Sequence, residues 1–372
     1  MTSETVITAG ELVRALEQTF VPAWAEAWDR VGLILGAPDT ALTGVLVTLD
    51  ATAEAVERAA LAGANLVVTH HPPFLEMPAR IETGPGPAGT VAAALSSGVA
   101  VASFHTSLDR APAGADALAD TLGLTILEPL ERSLEPVSVV VTYVPEDAAP
   151  AVRAAMAAAG AGRIGEYDGC SFESSGTGRF SPRAGAEPVV DDTGTGAPEV
   201  RIEMLCARSD TARVVQAAAG AHPYEEPVVL ATDGVRARGA ARLGRLCSFS
   251  GGTVGDLAVQ VGARLGVRPR VWGDPAAAAA RVAVANGSAG SLLGEALASA
   301  DVMVAGEVRY HDALDAVSRG LAIVEVGHDA SEWPLVSVLA AEVRTACGPD
   351  LPVIAETPRL AWQTMEDAHD RG

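Results

Sequence analysis

Three short stretches hold side chains whose types suit metal or acid-base chemistry. LVVTHHPPF at 66–74 sets His70 and His71 at the end of an apolar run that two prolines close. VAVASFHTSLD at 99–109 presents His105 and Asp109 in the same way, and LAIVEVGHDASE at 321–332 presents His328 and Glu332. Imidazoles mixed with carboxylates are the ligand set of zinc, iron(II), manganese and similar ions. Taken alone, any one stretch more often holds hydrogen-bonded loop residues. Three together favour a shared site, and His369 stands apart in the polar C-terminal tail.

The elements that must position these groups read as α/β. GVLVTLD, the helically spaced ATAEAVERAALAGA and the apolar NLVVTHH form a strand-helix-strand unit, continued by the helix TVAAALSSG and a further strand. Parallel strands deliver the residues after them to the carboxyl edge of a sheet, where α/β proteins place their ligands. A similar succession returns in RVAVANG, SLLGEALASA, VMVAGE, YHDALDAVSRG and LAIVEVGH. The spacing of four puts His328 and Glu332 on one face if a helix opens there. Between the halves, strands and helices alternate with a glycine-rich stretch in the order of a ferredoxin-like α+β module. The expected architecture is therefore two related α/β halves with parallel-type sheets, residues 1–132 and 236–372, and an inserted module at 133–235. Within the insert, FSPRAGAEPVVDDTGTGAPEV reads as a surface loop and EYDGCSFESSGTGRF as a hairpin.

Composition excludes several functions. All 26 basic residues are arginine, so neither a Walker A lysine nor a Schiff-base lysine is present. A net charge of -21 disfavours nucleic-acid phosphates and anionic membranes as partners. No apolar run reaches the roughly 18 residues of a membrane span, and the N-terminus lacks a basic, apolar leader. A cytoplasmic protein is expected. The four cysteines are widely separated, which argues against a disulfide framework or a zinc ribbon.

The stretches LVVTHHPPF, SFHTSLD, GEVRYHDALDA and GHDASE, with WDRVGLILG near the N-terminus, resemble in content and order the Nif-three-like (Ngg-one-interacting-factor-three-like) family. Its bacterial members are labelled type 2 homologues of GTP cyclohydrolase I, and the resemblance spans nearly the whole chain. It implies two divalent metal ions held by His70, His71, Asp109, His328 and Glu332. His105 would lie beside them as a proton-transfer residue, and Tyr310 and His311 would line the same cleft. It also implies that the insert is CutA- or PII-like, and that the assembly is a toroidal homohexamer.

Five such side chains suffice for two ions if a carboxylate or a water bridges them, and paired cations bring the pKa of water near neutral. His105 is then a candidate general acid or base. In a GTP cyclohydrolase the activated water attacks C8 of the guanine ring and releases formate. The implied activity is a dinuclear hydrolase acting on a nucleotide or related heterocycle, with GTP as one small-molecule substrate. Two other readings stay open: a non-catalytic, metal-binding ring protein with an interaction or regulatory role, and a metal-dependent phosphoesterase. Nitrogen and oxygen donors do not choose among zinc, iron and manganese. For a triphosphate, Arg110 and Arg309 are the candidate cations.

The chain departs from the family pattern in three places. ANGSAGS at 285–291 replaces a glycine-rich turn, Glu307 stands where an aspartate is expected, and Asp329 replaces an aromatic after the histidine of GHDASE. Trp28 of WDRVGLILG reads as a core-packing residue, with Asp29 a candidate support for the site. AHPYEEP in the insert reads as a structured turn, and Cys170 as a buried structural thiol.

Overall fold

The computed structural model describes residues 7–362 apart from 166, 184, 187 and 190–195. His369 and part of the loop 180–200 lie outside that set. The chain forms two compact units, one made of Met1–Arg132 and Ala240–Gly372, the other of Ser133–Gly239.

The first unit opens with α1 (Ala9–Thr19), where Thr8 and Glu11 exchange hydrogen bonds in a capping box. After it come β1 (Gly32–Leu35), β2 (Val45–Asp50), α2 (Ala53–Leu61), β3 (Leu66–His71), α3 (Pro87–Ser97), β4 (Ala100–Ser103), α4 (His105–Arg110), α5 (Pro112–Leu122) and β5 (Thr125–Pro129). Strands β2, β3 and β4 are parallel neighbours joined by helices, as parallel pairing requires. Leu66, Val67 and Val68 on β3 are wholly buried, which fits an uninterrupted apolar run in a sheet covered on both faces.

The insert runs β6 (Leu134–Pro145), α6 (Ala149–Ala158), β7 (Phe172–Gly178), β8 (Ala197–Ala207), α7 (Thr211–Ala221) and β9 (Val229–Ala237). Its four-stranded sheet has the order β7-β8-β6-β9 and is antiparallel throughout. Val140, Val144, Ile202 and Met204 pack with Val152, Met156, Val214 and Ala218 of the two helices. The glycine-rich EYDGCSFESSGTGRF supplies β7, one strand of a hairpin with β8.

The chain then returns to the first unit with β10 (Arg245–Thr253), α8 (Val254–Leu265), β11 (Arg270–Trp272), β12 (Ala278–Ser288), α9 (Leu293–Ser299), β13 (Val302–Glu307), α10 (Tyr310–Ser318), β14 (Ala322–Glu325), α11 (His328–Cys347) and β15 (Val353–Ala355). Two sheets result, ordered β1-β4-β3-β2-β15 and β11-β14-β13-β12-β10-β5.

The fold is mixed α/β, and it differs from two simple parallel halves in two respects. Parallel pairing is confined to β15-β2-β3-β4 in one sheet and β12-β13-β14 in the other; β1, β5, β10 and β11 pair antiparallel. The sheets also exchange strands, because β5 joins the second sheet and the last strand, β15, joins the first beside β2. Helix α11 explains why the two sheets share one unit. Leu335, Val336, Leu339, Ala340 and Val343 enter the core formed with α1 and the first sheet, while the same helix touches β12 and β13 of the second. A helix apolar on more than one side must be buried on more than one side.

Candidate metal centre

His70 and His71 end β3, His105 starts α4 straight after β4, and His328 starts α11 shortly after β14. Their rings form one cluster. Centroids lie 4.7 Å apart for His70 and His71, 5.1 Å for His70 and His105, 5.4 Å for His71 and His105, and 5.6 Å for His71 and His328. Glu332, one helical turn beyond His328, reaches into it. Its Oε1 lies 3.6 Å from His70 Nε2 and 3.2 Å from His328 Nε2, and its Oε2 lies 3.1 Å from His71 Nε2. Asp109 Oδ1 is 3.8 Å from His70 Nε2. The six candidate groups predicted at the strand ends are thus brought together.

Three imidazoles have the outer nitrogen engaged by a carboxylate. His71 Nδ1 meets Asp50 Oδ1 at 2.8 Å, His328 Nδ1 meets Glu307 Oε1 at 3.1 Å, and His105 Nδ1 meets Asp29 Oδ1 at 2.8 Å. Such partners fix the ring and raise the basicity of a ligating nitrogen. Asp50 follows from strand register, since it sits opposite His71 in the β2-β3 pairing. Its signal in the sequence was an acid at a strand end, the same signal that marks the histidines.

Burial is the largest influence on the His71 imidazolium and disfavours it, yet Asp50 and Glu332 outweigh burial and lift the pKa to about 10. Glu332 raises His328 to about 9 against burial, with Glu307 adding to the shift. Burial pushes the Asp109 carboxyl up, only partly offset by His70. For Glu332 burial acts upward too, but His70, His328 and His71 together hold it well below the ordinary carboxylate range. The common feature is a field that stabilises positive charge, whether carried by protons or by a cation that displaces them.

Two features of the donor set bear on whether it suits a divalent cation. Both nitrogens of His70, Asp109 Oδ1 and Glu332 Oε2 are buried without a hydrogen-bond partner, although such groups are almost always satisfied. Close backbone approach is the second: Gly287 has φ +55°, and a Cβ there would lie 2.2 Å from Glu332 Oε1. Its amide donates to Ser331 Oγ at 2.8 Å. The ANGSAGS stretch therefore brings backbone against the carboxylate. Among the described residues, His70, His71 and His105 form one group with donor atoms within 4.8 Å, and His71, His328 and Glu332 form a second. These residues fit a metal centre, and His105 lies within it.

Other expected groups fall elsewhere. Tyr310 and His311 open α10 and are exposed; Tyr310 packs edge-on against Trp272 and His311, and neither ring enters the histidine cluster. Arg110 is buried against Glu131 and Glu26 and donates to the Trp24 carbonyl, so it holds the fold rather than facing a phosphate. Arg309 is exposed and paired with Asp312. Trp28 is not a core residue as expected: it is 57% exposed and sets its ring edge-on to His105, 5.7 Å away. Asp329 accepts hydrogen bonds from the Ala361 amide and the Trp362 indole, which seats that indole over Gly327. In the insert, His222 is a buried turn residue, bonded to the Tyr143 carbonyl and the Tyr224 amide. Cys170 is partly exposed rather than buried.

A mixed α/β scaffold that gathers imidazoles and carboxylates at the ends of parallel strands defines a protein built round a candidate metal centre. Its sequence matches the Duf34/NIF3 (NGG1p interacting factor 3) family over residues 7–356, and the chain belongs to that family. The GTP cyclohydrolase 1 type 2 homolog of Mycobacterium leprae is 33% identical over 380 residues, covering 97% of this chain and 98% of its own. The homolog of Bacillus subtilis is 32% identical over 335 residues, covering 88% and 89%. Among solved structures, a Bacillus cereus protein related to NIF3 aligns with a TM-score of 0.68 at 30% identity, over 97% of this chain and 99% of that one. A Staphylococcus aureus protein aligns with a TM-score of 0.70 at 25% identity, over 96% and 99%. No helix among the described residues is long and apolar enough to cross a membrane.

Proposed function

We propose that the chain is a hydrolase working with two divalent cations on a nucleotide or related heterocycle, GTP being the substrate class in the names of its relatives. The observation that carries the reading is the convergence of His70, His71, Asp109, His328 and Glu332 with their partnerless buried atoms. These five residues would hold the cations, Glu332 offering two oxygens that face different imidazoles. Bound cations supply Lewis acidity that polarises the scissile bond and acidifies water. His105 accepts a proton at Nε2, the nitrogen left over by Asp29. Tyr310 and His311, exposed on α10, contact substrate beyond the cations.

The test is formate release from GTP by protein reconstituted with zinc, iron or manganese, beside a His70→Ala variant. Release that disappears in the variant supports the proposal. Absence of release from protein shown to hold its metals removes GTP as the substrate.

One observation favours a second reading, a metal-held homohexameric scaffold without turnover. Arg110 is engaged by carboxylates and Arg309 by Asp312, so neither expected cation stands ready for a triphosphate. In that case chelation lowers the assembly mass in size-exclusion chromatography, since metal binding energy is then assembly energy. An unchanged elution volume rejects the scaffold.

A further inference from the structure

Asp29 lies in the loop before β1, 76 residues from the histidine it contacts. Its side chain is fully buried, and every hydrogen bond it makes is one it accepts. Oδ1 takes the His105 Nδ1 contact at 2.8 Å and the Arg30 amide at 2.7 Å. Oδ2 takes the Thr106 amide at 2.9 Å and the Thr106 hydroxyl. That hydroxyl also accepts from the Glu26 amide at 2.9 Å, so its own proton is free to point at Asp29.

A carboxylate surrounded by donors has no lone pair to spare for a proton of its own. The proton shared with His105 must then sit on Nδ1, which leaves Nε2 as the unprotonated nitrogen of the neutral ring. His105 Nε2 and Nδ1 are the only two choices, and the inward side of the ring is shared with His70 and His71.

We infer that Asp29 is a positioning residue: it locks His105 in the Nδ1-protonated tautomer and so presents the Nε2 lone pair to the cluster. The Thr106 and Arg30 backbone amides hold Asp29 in that role, and the Thr106 hydroxyl adds a further donor. The inference deepens the hydrolase reading, and rests on it only where turnover is concerned. The burial of Asp29 would by itself raise its carboxyl, but the contacts from His105 and Thr106 bring it down to about 2, in keeping with a carboxylate ionised throughout the working range.

The experiment reads the tautomer directly. Full-length protein carrying 15N-labelled histidine is compared by NMR with Asp29→Asn and Thr106→Val, with the His105 signals assigned by His105→Gln. In the native protein the expected pattern is a protonated Nδ1 and an unprotonated Nε2. In Asp29→Asn the amide NH2 can face Nδ1, and the two nitrogens should exchange roles. Thr106→Val retains the carboxylate and should keep the native pattern, which separates tautomer control from loop bracing. Where turnover is found, Asp29→Asn should lower kcat by about 100-fold or more with little change in KM. A native His105 protonated at Nε2, or an Asp29→Asn spectrum identical to native, overturns the inference. Should Asp29→Asn fail to fold, the native and Thr106→Val spectra still decide it. A tautomer that switches as expected in a metal-loaded protein without formate release removes GTP as the substrate and leaves the role of Asp29 intact.

Discussion

Replacing Gly287 with alanine should displace the candidate ligand Glu332 while leaving the sheets in place. Two terms add. At φ +55° an L side chain occupies the left-handed region, a strain of about 1–2 kcal/mol. The new Cβ would also lie 2.2 Å from Glu332 Oε1, whereas ordinary contact begins at 3.4 Å, so the carboxylate must retreat by about 1.2 Å. Ligand distances tolerate only about 0.2 Å, so this displacement removes Glu332 from any cation it shares with His70 and His328. Disturbing even a supporting group costs about 10- to 100-fold in metal affinity, and a displaced ligand should cost at least that much. The assay is isothermal titration of zinc or manganese into metal-free protein, with thermal unfolding measured alongside. Gly294→Ala is the control, because its Cβ meets nothing within 4 Å at an exposed position of helix α9, and alanine there should stabilise the helix by up to about 1 kcal/mol. Native metal affinity in Gly287→Ala would refute the reasoning, since Glu332 would then be shown not to depend on that close approach.

Glu131→Ala removes one of the two carboxylates on the buried Arg110 guanidinium and leaves Glu26 and the Trp24 carbonyl in contact with it; unfolding stability should fall by about 1–3 kcal/mol in denaturant titration. Glu356 ties β15 to α2 and β2 through Arg58 and Thr48, and although burial acts upward, those contacts depress its pKa. A depressed carboxyl stabilises the fold above its unfolded pKa and loses that contribution as pH falls through the folded one. Glu356→Gln should therefore cost about 1–3 kcal/mol near neutral pH, with the gap to native closing on acidification below the ordinary carboxylate range. Asp50→Asn and Glu307→Gln each release the Nδ1 of one histidine, and each should weaken metal binding about 10-fold by titration; an effect confined to one of them would break the equivalence of the two halves.

The parallel cores were legible because β2, β3, β12 and β13 are near-continuous runs of Val, Ala, Leu and Met between helical spacings, a pattern that only doubly covered strands adopt. The strand exchange was not. Residues 353–355 make a three-residue strand with no periodicity of its own, and what selects β2 as partner is tertiary: α11 must cross the first sheet before the chain can reach that edge. Trp28 misled for a similar reason. An indole beside apolar residues has the composition of a core position, but the loop carrying it turns outward while Asp29, its neighbour, is drawn in by four donors. Arg110 shows the converse, a residue adjacent to the candidate ligand Asp109 whose side chain leaves the site for Glu131.

The candidate ligands were legible from one rule, that parallel strands put their last residues at a common edge. Applied to acids as well as histidines, the same rule would have found more. Asp50 is the last residue of β2 and Glu307 the last of β13, and each contacts a histidine 21 positions later, across one helix and one strand. A strand-end acid paired at that interval with a strand-end imidazole is therefore a repeat shared by the two halves, carried by side-chain chemistry where the sequences themselves have diverged. Physically it arises because one strand-helix-strand unit sets neighbouring parallel strands side by side with their ends level, so an acid on one end must meet an imidazole on the next. Asp29 lies outside that logic. It reaches His105 from a loop through backbone amides and a threonine hydroxyl, and contacts of that kind leave no spacing in a sequence to be read.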